Sequence, residues 1–80
     1  MPNATDVRSA RCKYARVLYD TWQMAESAYH RQNQWTRHLR HIGDEKTAEI
    51  AERWRNEWME QTRNARDRYE RFSDALDNER

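Results

Sequence analysis

Apolar residues in this chain recur at helical spacing in two long runs separated by one glycine. In the first run Val7, Tyr14, Thr21, Ala28, Trp35 and Ile42 repeat every seven residues. Ala10, Val17, Met24 and His38 fall between them, with Leu18, Ala25 and Leu39 as neighbours. In the second run the repeat is Ala51, Trp58, Ala65 and Phe72, with Trp54 and Ala75 between and Thr62, Tyr69 and Leu76 alongside. Seven-residue spacing of this kind is the pattern of long helices packed nearly parallel or antiparallel.

Gly43 separates the runs. It follows "LRHI", where a left-handed cap can end a helix, and precedes Asp44, a good N-cap with Glu45 favourable in the next turn. At the N-terminus Pro2 and Asn3 stand outside, with Asn3 or Thr5 as cap. The predicted architecture is all-α and occupies residues 1–80 as one domain. Helix 1 runs over about residues 5–42, the hinge is 43–44, and helix 2 runs over about 45–77. A connection this tight folds the two rods into an antiparallel, coiled-coil-like hairpin. Folding about Gly43 brings residue i near residue 86 − i. Trp35 is then expected opposite Ala51, Ala28 opposite Trp58, Thr21 opposite Ala65, and Tyr14 opposite Phe72.

A second stripe runs beside the first on helix 1: Ala15, Leu18, Trp22, Ala25 and Tyr29, extended by Tyr19 and Cys12. One partner helix cannot cover both stripes. The first is expected in the hairpin seam, and the second is left for another contact: a second hairpin completing a four-helix bundle, or a different protein. On that reading, replacing Trp22 and Tyr29 by Ala abolishes association and leaves helicity mostly intact.

Composition strengthens the helical reading. Eighty residues contain a single Gly and a single Pro, too few breakers for strands joined by turns. Apolar and charged residues each make up 36%, which in a one-sided, unpatterned chain would mean disorder. Here the net charge is only +1 and the nine aromatics are regularly spaced. No apolar run approaches a membrane span, the N-terminus lacks a signal-type apolar core, and the lone Cys12 cannot form an internal disulfide. A cytoplasmic setting is expected. Charge divides between the halves. Residues 1–43 carry seven basic residues against three acids, a net +4, and residues 44–80 carry eight against eleven, a net −3. Helix 2 also offers the pairs Glu49–Arg53, Arg63–Asp67, Arg66–Glu70 and Asp67–Arg71 at helical spacing.

Catalytic chemistry is not indicated. With one glycine there is no phosphate loop, and no nucleophile elbow or zinc ribbon occurs. Cys12 lies at the opposite end of the expected hairpin from the three histidines, so it is not a thiol nucleophile. His38 and His41 share a helix face near Asp44 and Glu45, but their position suits interaction with the helix dipole better than a metal site. Neither a cofactor nor a metal is expected.

The stretch "HRQNQWTRHLRH", residues 30–41, contains three arginines and three histidines without an acid. Trp35 and Leu39 are expected in the seam and His38 and His41 at the dipole end, leaving Arg31, Gln34, Arg37 and Arg40 outward. The expected function is non-enzymatic: a protein-interaction module that inhibits or adapts a larger machine, of the kind phage and mobile elements use as anti-defence accessory proteins. Its contact residues are Tyr19, Trp22, Tyr29, Arg31, Arg37 and Arg40, and it is expected to be a homodimer. The alternative is a dimeric four-helix-bundle regulator binding RNA or DNA through Arg31, Gln34, Arg37 and Arg40. A pI of 7.9 argues against the alternative. Length and hinge position resemble those of plasmid-copy-number RNA-binding hairpins. The secreted WXG-type hairpins need a Trp-x-Gly hinge, where this chain reads "HIGDE", and an acid four residues after a tyrosine, where Ser73 follows Tyr69. No family is assigned.

Overall fold

The computed structural model describes residues 4–78. They form two helices: α1, Ala4–His41, and α2, Glu45–Asn78. The helices pack on one another along their length as an antiparallel hairpin measuring 61 × 18 × 15 Å, with no strand among the described residues. The expected cap Asn3 lies outside the described residues, and the backbone of Thr5 is already helical.

The hinge follows from its residues. Gly43 adopts φ 85°, the left-handed conformation that glycine enters without a Cβ clash. Its N–H donates to the Arg40 carbonyl at 3.1 Å, and the Asp44 N–H donates to the Leu39 carbonyl at 2.9 Å. This pair of bonds is the Schellman ending, which satisfies carbonyls the helix would otherwise orphan. Asp44 then starts α2: its Oδ1 accepts from the Thr47 N–H at 3.2 Å and its carbonyl from the Ala48 N–H at 3.0 Å. Three residues therefore end one helix and begin the next, leaving the chain no room except to fold back.

The seam on α1 is the stripe Ala15, Leu18, Trp22, Ala25, Tyr29, Gln32, Thr36 and Leu39, all buried or half-buried. On α2 it is Ala48, Ala51, Arg55, Thr62, Ala65, Tyr69, Phe72 and Leu76, with Trp58 at its edge. Both follow alternating steps of three and four residues. The expectation that the first stripe of α1 forms the seam is corrected: that stripe faces outward. Trp35, expected against Ala51, is 60% exposed, and Val17 and Met24 are exposed as well.

The physical reason lies in what each stripe would bury. The two stripes of α1 are offset by one residue, a rotation of roughly 100°. The outward stripe contains Arg31 and His38, whose burial would strip water from a cation and an imidazole. The polar residues of the α1 seam stripe are all neutral, and the one cation of the α2 seam, Arg55, is paired with Glu52. One of the neutral residues, Thr36, is wholly buried and satisfies its hydroxyl by donating to the Gln32 carbonyl at 2.8 Å. The register, in contrast, agrees with the expectation toward the open end, where Tyr14 meets Phe72 edge to face at 4.9 Å.

The core this produces is thin. Among the described residues its buried apolar side chains are Ala25, Ala48, Ala51 and Ala65, and the largest wholly buried side chain is Thr36. The hairpin brings its backbones close but encloses little apolar volume. For a chain of about this size such a core is marginal.

Candidate interaction surfaces

In an antiparallel pair, both the helix direction and the facing direction reverse from one helix to the other. Residues one position before the seam therefore lie on the same broad side of the hairpin for both helices. Residues one position after it lie on the opposite side. The two broad sides differ sharply in chemistry.

The first side carries most of the exposed apolar residues, concentrated on α1 and on the hinge half of α2. From α1 and its end it carries Val7, Tyr14, Val17, Met24, Trp35 and Ile42, and from α2 it carries Ile50 and Trp54, with Trp58 at the seam edge. Among the described residues these are nine of the ten exposed large hydrophobic side chains; the tenth, Tyr19, is on the other side. Trp54 and Trp58 flank a shallow recess of about 550 Å³ completed by Gln32, Glu57 and Gln61. Trp35 meets the His38 ring edge to face at 5.8 Å. Large aromatics carry about 150–250 Å² each, so the exposed surface on this side is on the order of 1,000 Å². Typical monomers expose contiguous apolar patches of about 300–600 Å².

The second side is polar and internally paired. Arg40 donates to Glu52 across the helices at 2.6 Å, and Arg55 reaches the same carboxylate at 3.2 Å. Arg55 also donates to the Asn33 side chain at 3.4 Å. Toward the open end, Tyr19, Trp22 and Tyr69 form an aromatic cluster with ring centroids 5.5–5.8 Å apart. Beside it Cys12, Ala15, Arg16 and Asp20 complete a shallow recess of about 460 Å³.

The predicted contact residues are dispersed by this arrangement. Trp22 and Tyr29 are half-buried in the seam rather than on an uncovered face. Tyr19 remains exposed on the polar side. Arg31, Gln34 and Arg37 are exposed, but Arg40 is engaged by Glu52. Arg31 and Arg40 are nine residues apart, about half a turn of the helix in direction, so the arginines do not converge on one groove. Of the expected ion pairs within α2, Arg66–Glu70 and Asp67–Arg71 form at 3.9 and 3.0 Å.

Histidine positions are local in effect. His30 lies 3.8 Å from Glu26 one turn earlier and 5.4 Å from the Tyr29 ring. Among the described residues no group of three His, Cys, Asp or Glu side chains is placed to hold a metal ion. No described helix is long and apolar enough to cross a membrane.

The sequence signal for the apolar side was present in the first stripe of α1. Trp54 and Ile50 could have been joined to it by noting that both stand one position before an alanine-rich stripe on α2. Comparison of the chain with protein-family models, curated proteins and solved structures finds no match, so its function has to be argued from these surfaces.

Proposed function

We propose that this protein acts without catalysis, as a small interaction module that binds a larger protein stoichiometrically and thereby inhibits or adapts it. The observation that carries this reading is the apolar broad side, with Trp35, Trp54 and Trp58 exposed around the hinge end. Tryptophan, tyrosine and arginine dominate the energetics of protein interfaces, and an apolar area of this extent is a contact surface in need of a partner. Arg31, within the α1 stripe of that side, supplies polar anchoring there, and Tyr19 and Arg37 offer a separate contact on the opposite side. The polar recess beside Tyr19 is open and shallow, which suits a contact surface better than a water-excluding reaction chamber.

Size and surface character suit an accessory protein of a phage or mobile element directed against a host nucleoprotein machine, working in the cytoplasm. The engagement of Arg40 and Arg55 by Glu52 weakens the basic character of the hinge end and favours protein over nucleic acid as the target.

Capture from the source cells tests the reading. The tagged chain and a Trp35→Ser, Trp54→Ser variant are compared after nuclease treatment. The expected result is a protein recovered in fixed ratio with the wild type and lost with the variant. Recovery that disappears with nuclease, with affinity falling steeply as salt rises, would instead establish the nucleic-acid-binding alternative.

A further inference from the structure

We infer that the outward stripe of α1 pairs with the same stripe of a second copy of this chain. The two α1 helices run antiparallel about a two-fold axis beside Met24, and the assembly has four helices. This rests on the reading of the apolar side as a contact surface and names what occupies its α1 half.

Length is the first argument. The stripe extends from Val7 to Ile42, about 53 Å of helix, with Arg31 and His38 as its charged or polar positions near the hinge end. Only another rod of that length covers it, and α1 itself is one.

The second argument is symmetry of side-chain size. Reversing the stripe about the midpoint between Met24 and Ala25 places Val7 opposite Ile42, Tyr14 opposite Trp35, and Thr21 opposite Ala28. Thr21 and Ala28 flank the axis, leaving room for the two Met24 side chains between them, and large residues fill the diverging ends. An isologous interface requires this self-complementarity.

The choice of α1 over α2 as the facing helix follows from charge. Beyond Trp58 the same broad side of α2 carries Gln61, Asn64, Arg68 and Arg71. Laying α1 on the partner's α2 would bury these arginines against the stripe. Laying α1 on α1 buries mostly apolar residues and places Arg31 beside Val17 and His38 beside Ala10, where the long Arg31 side chain can extend past its small neighbour to water.

Area closes the argument. The α1 stripe supplies six of the nine exposed large side chains on that side, roughly 700 Å² per chain, close to the ~800 Å² each partner gives to a standard interface. The thin alanine core of the single hairpin makes the added layer the more valuable. Pairing leaves Ile50, Trp54 and Trp58 of α2 exposed in both copies, where a larger partner can be met.

Sedimentation of the full chain at micromolar concentration tests the pairing. The expected mass is two chains, falling by half in Met24→Arg. Met24 is 72% exposed in the hairpin, so this substitution leaves the seam untouched and the circular dichroism unchanged. A one-chain wild-type mass, or a Met24→Arg variant that keeps the doubled mass, overturns the inference. A crosslink gives an independent readout. In a Cys12→Ser background, Met24→Cys is expected to oxidise to a covalent dimer, and Arg53→Cys, on the far side of α2, is not. The reverse outcome overturns it equally. A one-chain mass with capture of a larger protein intact would refute only the second copy as occupant. A two-chain mass with no capture would refute only the binding function.

Discussion

Trp22 of α1 and Tyr69 of α2 lie against each other across the seam, ring centroids 5.8 Å apart and planes 33° from parallel. Tyr19 meets both edges. Bulky aromatics here do what the alanines cannot nearer the hinge: they supply apolar contact between the helices. Trp22→Ala is therefore expected to destabilise the hairpin by about 2 kcal/mol, less than for a wholly buried tryptophan because the indole is partly exposed. Urea unfolding followed by circular dichroism measures it as a lower midpoint. A double-mutant cycle with Tyr69→Ala should return a coupling of about 0.5–1.5 kcal/mol. The loss of stability replaces the expectation that removing Trp22 would leave helicity intact.

Gly43 is held by backbone conformation and not by lack of space. A Cβ added there meets nothing within 4 Å, yet φ is 85°. Gly43→Ala should thus cost about 1 kcal/mol from left-handed strain alone, and Gly43→Asn less, because asparagine tolerates that region better. Thermal melts of the two variants compared with wild type give the order.

Glu52 holds two arginines from different helices, and one of these bonds spans the seam. Each group is partly exposed, so solvent screens the interaction. Glu52→Gln is expected to lower stability by about 0.5–1 kcal/mol in dilute buffer. The difference from wild type should shrink as sodium chloride is raised toward 1 M, which equilibrium unfolding at two salt concentrations reveals.

Ala48 and Thr36 are both wholly inaccessible, Ala48 near the start of α2 and Thr36 near the end of α1. The helices approach closely at this end because these side chains are small. Ala48→Leu should force them apart and destabilise by about 1–3 kcal/mol, seen as a lower melting temperature. Thr36→Val keeps the shape and removes only a hydroxyl bonded within its own helix, so its effect should be much smaller.

Of the fold, nearly everything local is legible in the residues. The helix bounds, the hinge at Gly43 and Asp44, and the hairpin topology follow from breaker scarcity, cap chemistry and three-four spacing, all properties of neighbouring residues. The Tyr14–Phe72 register also follows, because a two-residue hinge fixes how far each rod extends. Which face of α1 is buried does not follow. Val7, Tyr14 and Trp35 mark one stripe and Ala15, Trp22 and Tyr29 another, one residue apart with the same period, and periodicity cannot rank them. The choice required α2, whose alanines accept a close approach, and the energetic penalty of enclosing Arg31 and His38. The sequence alone thus determined that two amphipathic rods fold back on each other. Only their packing decided that Trp22 and Tyr29 hold the hairpin together while Trp35, Met24 and Val17 are left facing outward, because burial is settled between helices and not along one.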